Sequence, residues 1–256
     1  MQRNQPGIVG AQHVTAHLEP FFNPRGVAVI GASRDPQKLG YGVVRNLVEY
    51  RYRGPIYPVN PVASEILGHT CYPSIADVPD PVDLAVIVVP APAVADMVDQ
   101  CGRRSIRHVI VVSSGFGETG PEGGAREEAL ADAARRHGMR IIGPNCIGTI
   151  DTHTPVNDTF VVGMPPAGDI GFISQSGALC ASVIIWAQET GMGFARIASL
   201  GNQVDVNETE MLTAMAADPQ TAVVVAYIEG VADGRAFMQA AEEAARRKPV
   251  VVLKVG

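Results

Sequence analysis

The sequence predicts an α/β protein built on two doubly wound parallel sheets, one following the other along the chain. Three observations carry this. Short β-branched runs alternate with amphipathic helical stretches, the pattern of successive βαβ units. One run, "DLAVIVVPA" (83–91), is apolar almost throughout, as a strand covered on both faces should be. The alternation breaks once, over "IGTIDTHTPVNDTFVVGMPPA" (147–167), where Thr, Pro and Gly replace any helical period, and then restarts.

The first strand is "GVAVIGA" (26–32), followed by a helix over 41–51 and the strand "GPIYPVNP" (54–61), which closes on a proline turn. Next come the apolar strand 83–91, a helix over 92–103, the strand "HVIVVSSG" (108–115), a helix over 121–137 and the strand "RIIGPNC" (140–146). After the break follow the strand 169–174, a helix over 177–190, the strand 195–201 and a helix over 207–217. The strand 221–229, a helix over 234–247 and the strand 249–256 complete the pattern. This divides the chain into a leader (1–17, expected to be disordered), a first domain (18–150), a connection (151–167) and a smaller flavodoxin-like domain (168–256).

Composition narrows the function. With 256 residues, 46% hydrophobic and 18% charged, the chain suits one large or two small globular domains. The net charge of −6 and the lack of a basic stripe argue against nucleic acid as the main partner. No apolar run approaches the ~20 residues of a membrane span, and the N-terminus lacks the apolar core of an export signal. Cys71, Cys101, Cys146 and Cys180 are scattered without a CxxC pair, which fits a reducing, cytoplasmic compartment and no zinc cage. His13 and His17 have the i,i+4 spacing of a metal pair but no nearby third ligand, so a solvated segment is the expectation and no metal is assigned.

The stretch "VAVIGASRDPQKLGYGVVRNL" is a strand, a glycine turn and a helix, which aims backbone N–H groups at a phosphate. Its spacing is not GxGxxG, and the second strand ends in Asn60 and Pro61 rather than the acid that holds a nicotinamide cofactor's ribose. Arg34 and Lys38 suit a ligand richer in phosphate; the plainer reading is that the glycines only turn the chain. "VVPAPA" (88–93), "SSGFGETG" (113–120) and "GPNCIGT" (143–149) end later strands with small residues, so that all four would line one crevice.

In the second half, "GDIGFISQSGALCASVIIW" (168–186) places Ser174, Ser176 and Gly177 at a strand-to-helix turn. A hydrolase serine is excluded by chain order, because the last histidine, His153, precedes it. The turn is either a phosphate cradle or a plain helix cap.

These motifs, followed by "SLGNQVDVNE", resemble the NDP-forming acyl-CoA synthetases, among them ADP-forming acetyl-CoA synthetase and, more distantly, the succinyl-CoA synthetase α subunit. The likeness runs from about Leu18 onward. It implies a Rossmann-like coenzyme A-binding domain followed by a flavodoxin-like ligase domain. Gly31, Ala32, Ser33 and Lys38 would contact the coenzyme's phosphates. Asn60, Val89, Pro90, Ala91 and Ser113 would border its nucleotide and pantetheine, and Pro144, Asn145 and Cys146 its thiol end. In the family ATP phosphorylates a histidine, whose loop swings against a helix N-terminus matching Ser174, Ser176 and Gly177. The phosphoryl group passes to a carboxylate, and coenzyme A attacks the acyl phosphate. Glu229 matches the glutamate that holds the histidine's other ring nitrogen, although a solvated strand-end carboxylate is a nearly equal reading. Gly201, Asn202, Asp205 and Glu208 would border the same site.

The family histidine follows the strand matching "PVVVLKVG", where this sequence stops, and the ATP-grasp domain that supplies ATP and Mg is missing too. A piece of a longer protein, or one lacking only a disordered tail, is expected over a natural non-catalytic relative, because an apolar strand makes a poor C-terminus. The expected partners are coenzyme A, a carboxylate or acyl substrate and an ATP-grasp domain or subunit, in a homo- or hetero-oligomer. These residues alone are expected to make no acyl-CoA. The rival readings are a non-catalytic coenzyme A-binding regulatory module and, disfavoured by Asn60, a nicotinamide oxidoreductase.

Overall fold

The computed structural model describes residues 17–255. The expected leader and His13 therefore lie outside the described residues, apart from His17. The first sheet holds β1 (Val27–Ile30), β2 (Ile56–Val59), β5 (Leu84–Ile87), β6 (His108–Val111) and β7 (Arg140–Ile142), with β3 (Glu65–Ile66) and β4 (His69–Thr70) forming a small hairpin beside it. Its order is β2-β1-β5-β6-β7, parallel throughout. The helices α1 (Leu39–Glu49), α2 (Ala91–Arg103) and α3 (Pro121–His137) cross over between its strands. All four residues of β1 and of β5 are buried, which accounts for their unbroken apolar runs. Local signals fix the helix ends. Proline opens α3 at its first turn, Gly138 closes it at φ 60°, and Arg135, Arg136 and His137 favour the negative end of its dipole.

The second sheet contains β8 (Thr149–Asp151), β9 (Val156–Asn157), β10 (Ala167–Ser174), β11 (Phe194–Ser199), β12 (Val223–Ile228) and β13 (Val250–Lys254), ordered β13-β12-β10-β11-β8-β9. Its helices are α4 (Gly177–Thr190), α5 (Glu208–Ala217) and α6 (Gly234–Ala245). β10 to β13 are parallel, as expected, but β8 runs antiparallel to β11 and β9 antiparallel to β8. The stretch read as a bare connection thus supplies a two-strand edge to the second sheet. Its strands are too short and polar to show a period of two, and side-chain bonds hold them. Asp151 accepts from the backbone N–H groups of His153 and Thr154, both at 2.9 Å, and pairs with Arg196 Nε at 2.8 Å. Buried Asn46 of α1 donates to Thr159 O at 2.6 Å and Val161 O at 2.7 Å, tying the first sheet's helix to this edge.

The loop after β11 zips the two sheets together. Backbone N–H groups of Asn202, Val204 and Val206 donate to the carbonyls of Pro144, Gly143 and Ile141 at 2.9, 3.0 and 3.0 Å. Asp205 accepts from Ile141 N at 2.8 Å and Arg140 Nε at 2.9 Å, and Arg140 reaches Glu210 at 2.8 Å. Gly201 makes this seam possible: its φ is +58°, and a Cβ there would lie 2.1 Å from Pro144 O. Gly201→Ala is therefore expected to cost at least ~1–3 kcal/mol. Thermal unfolding checks this, and an unchanged Tm would show that the seam yields freely.

Candidate functional site

At the end of β1 the chain turns through Gly31 at φ +89°, where a Cβ would press on Val88 at 3.0 Å. Gly40 lets the first turn of α1 sit against this loop, since a Cβ there would be 2.1 Å from Gly31 O. No side chain caps the start of α1, which leaves its positive end to solvent beside the exposed Arg34 and Lys38. Ser33 Oγ accepts from Asp35 N at 3.0 Å and shapes the loop.

Asn60 and Ser113 brace this edge. Asn60 Nδ2 donates to Ala32 O at 2.8 Å, and its Oδ1 accepts from Val62 N at 2.9 Å and Ala63 N at 3.1 Å. Its amide thus holds the glycine loop in place. Ser113 Oγ donates to Val89 O at 2.5 Å, and Ser113 O accepts from Asn145 N at 2.9 Å, linking the ends of β5, β6 and β7. Val89, Pro90 and Ala91 lie between them, Pro90 exposed and the other two half-buried.

The carboxyl ends of the two sheets meet around a cleft of about 570 Å³. Its walls include Asn145, Cys146, Ser176, Gly177, Gly201, Asn202 and Glu229, all singled out from sequence, together with Glu118, Phe160 and Gln175. Ser176 caps α4, its Oγ accepting from Leu179 N at 3.3 Å. Ser174 departs from expectation: it is fully buried, its Oγ donates to Ser176 O at 2.8 Å and accepts from Ser176 N at 3.1 Å. Its hydroxyl shapes the turn and is closed to a ligand. Asp205 and Glu208 also depart, because neither lines the cleft. Asp205 belongs to the seam and Glu208 is buried, its carboxylate accepting from Thr209 Oγ1 at 3.0 Å. Cys146 lines the cleft but its thiol donates to Val111 O at 3.3 Å, and burial pushes its pKa up. It is a packing group, not a nucleophile.

Bonds that sequence reasoning passed over organise the walls. Asn202 uses both amide protons across the sheets, donating to Glu118 at 2.6 Å and Glu127 at 2.8 Å, while its Oδ1 accepts from Asn145 at 3.3 Å. Partial burial works to raise the Glu118 carboxyl, but bonds from Asn202, Gly115 N and Phe116 N outweigh it and hold the group below the ordinary carboxylate range. Glu118 was visible within "SSGFGETG", yet only the fold shows that it meets Asn202. Among the described residues no cluster of three or more His, Cys, Asp or Glu is placed to hold a metal, and all four cysteines are free and buried. No described helix is long and apolar enough to cross a membrane.

Residues 25–152 match the family described as "CoA binding domain", and residues 167–256 the "Succinyl-CoA ligase like flavodoxin domain". The chain is 46% identical to acetate–CoA ligase [ADP-forming] I of Archaeoglobus fulgidus over 93% of its own length and 35% of that protein. It is 44% identical to the α subunit of acetate–CoA ligase [ADP-forming] II of Pyrococcus furiosus, covering 93% of this chain and 52% of that one. Among solved structures, "dinucleotide forming Acetyl-coenzyme A synthetase 1" of Ca. Korarchaeum cryptofilum, in complex with phosphate and ADP, shares 41% identity. It superposes with a TM-score of 0.90 over 93% of this chain and 52% of that one. The chain thus spans between about a third and a half of these relatives' length. Strand-end glycine loop, serine-capped α4 and matching relatives converge: the chain belongs to the NDP-forming acyl-CoA synthetases, the family that also includes the succinyl-CoA synthetase α subunit.

Proposed function

We propose that this chain is the coenzyme A-binding and phosphoryl-site portion of an ADP-forming acyl-CoA synthetase, which converts a carboxylate, ATP and coenzyme A to acyl-CoA, ADP and phosphate. The observation that carries this reading is the single cleft in which the first sheet's Asn145 loop meets the second sheet's Ser176–Gly177 turn and Glu229. A thiol delivered along one edge would there reach a phosphorylated acyl group held at the other.

Each part has a chemical role. The glycine loop offers backbone N–H groups and the open start of α1 to the coenzyme's pyrophosphate, with Lys38 and Arg34 facing its further phosphate. Gly31, Ala32 and Ser33 form the floor, Asn60 and Ser113 brace it, and Val89, Pro90 and Ala91 border the pantetheine arm leading to Pro144, Asn145 and Cys146. Preorganised donors at Ser176 and Gly177 would neutralise a transferring phosphoryl group at the start of α4. Glu229 would hold a cationic ring supplied from outside these residues, fixing its tautomer. ATP and Mg belong to an ATP-grasp domain or subunit beyond this chain, and a homo- or hetero-oligomer is part of the same reading. So is a cytoplasmic location, which four unpaired cysteines support.

Calorimetry with coenzyme A and NAD tests the nucleotide. Coenzyme A is expected to bind far more tightly, and equal or reversed affinity would sink the reading. Lys38→Ala should weaken coenzyme A about tenfold, and 3′-dephospho-coenzyme A less if Lys38 meets the 3′-phosphate.

A further inference from the structure

Between the start of α4 and Glu229 lies one side chain whose amide makes three hydrogen bonds. Gln175 Oε1 accepts from Glu229 N at 2.7 Å and Gly230 N at 2.8 Å, and its Nε2 donates to Gly230 O at 2.7 Å. Its own backbone N–H donates to Tyr227 O at 3.2 Å, so the residue is fixed at both ends. Gln175 is 9% exposed, whereas Glu229 and Gly230 are exposed and lie just beyond the last residue of β12. Without the amide, two N–H groups and a carbonyl would lose their partner, leaving Lys254 Nζ, which donates to Glu229 O at 3.1 Å, to hold this backbone beside the α4 turn. A lone strand-end carboxylate would wander with its loop. Here the backbone that carries the carboxylate is pinned to the residue that precedes the N-cap of α4.

We propose that Gln175 is a positioning residue that sets the distance and orientation of the Glu229 carboxylate relative to the anion-holding N-terminus of α4. It acts through Glu229 and touches no reacting group itself. The inference rests on the cleft reading above, in which Ser176 and Gly177 hold a phosphoryl group. A carboxylate held close to an anion site repels a bare anion. The site is therefore tuned to accept a phosphoryl group only together with a positive partner.

The repulsion makes the placement measurable with inorganic phosphate as the probe. Binding is followed through the Gly177 N–H resonance of the full 256-residue chain. In the parent chain, Glu229→Gln should tighten phosphate about fivefold by removing one nearby charge. In the Gln175→Ala background the loop is released, and the same change should tighten it by less than about twofold. Gln175→Glu keeps both acceptor bonds, loses the donor and adds a charge that is the same with either residue at 229, so within that background it should restore most of the Glu229→Gln effect. It also serves as the second variant if Gln175→Ala folds poorly. A purely structural role would lower Tm in Gln175→Ala while leaving the Glu229→Gln gain the same in every background, and that result would overturn the inference. A parent chain whose Gly177 resonance ignores phosphate would overturn the cleft reading itself, and this inference with it. Phosphate binding with the same Glu229→Gln gain in every background overturns the positioning role alone.

Discussion

Arg196→Ala is expected to destabilise the chain by about 3–5 kcal/mol, because it leaves buried carboxylates without their counter-charge. The side chains of Asp151 and Asp218 are only 1% and 2% exposed, and both face this guanidinium. Arg196 Nε donates to Asp151 at 2.8 Å, Nη2 donates to Glu19 at 3.0 Å, and the guanidinium sits 4.7 Å from the centre of the Phe22 ring. One cation therefore joins β11, β8 and the turn before β1. Replacing it removes the charge and opens a gap among groups that water reaches poorly. For a chain of this size the loss corresponds to a fall in Tm of roughly 6–20 °C, read by calorimetry at neutral pH. A fall of less than about 1 kcal/mol would place the pair among ordinary surface bridges. Glu19, half in solvent, should matter much less, and Glu19→Gln should shift Tm by a small fraction of that amount.

The second large effect is a pH dependence centred on Asp158. Its carboxyl is fully buried, and burial pushes it up to about 7 against the hydrogen bonds from Thr149. The geometry gives the same answer. Thr149 N donates to one oxygen at 2.6 Å, while Thr149 Oγ1 lies 2.8 Å from the other oxygen and 2.8 Å from Phe21 O. That hydroxyl has one proton for two acceptors. A neutral Asp158 that donates to Oγ1, with Oγ1 donating to Phe21 O, satisfies every group. Below about pH 4 both folded and unfolded chains carry the proton, and the group imposes no penalty. As pH rises to about 7 the unfolded chain ionises alone, so this stabilisation is lost, and above 7 the loss is complete. At about 1.4 kcal/mol for each tenfold change in proton affinity, the loss is on the order of 4 kcal/mol. Asp158→Asn keeps both bonds without the titration. It should match the parent near pH 4, exceed it near pH 8, and flatten the difference between them. Parallel profiles for the two proteins would disprove the buried acid.

Much of this architecture is legible in the sequence, and the exceptions share a cause. The apolar strands β1 and β5 announce themselves, and so do the helix starts and stops, because those signals are local. β8 and β9 are not legible: Thr149, Asp151 and Asn157 are polar, buried and held by partners far away in sequence. The same division runs through the site. The Ser176–Gly177 turn can be found because parallel strands present their carboxyl ends at one edge, whereas Asn145 and Glu229 are implied by the family resemblance. Ser174 and Ser176 look equivalent as letters, yet one hydroxyl is locked into the turn and the other residue lines the cleft. Gln175 and the partners of Asn202 escape that reading, because both amides bond groups more than fifty residues distant, which no spacing rule could reveal.

The zipper formed by residues 201–206 limits how the cleft can work. Its two walls are bolted together at the base by backbone bonds, by the Asp205–Arg140–Glu210 chain and by the three-way amide of Asn202. Walls joined in this way cannot clamp shut like a jaw around a substrate, because opening would break every one of those bonds at once. The cleft behaves instead as a fixed anvil. Whatever stroke a catalytic cycle requires must come from a part that enters the gap, and the seam keeps the target in the same place for each arrival.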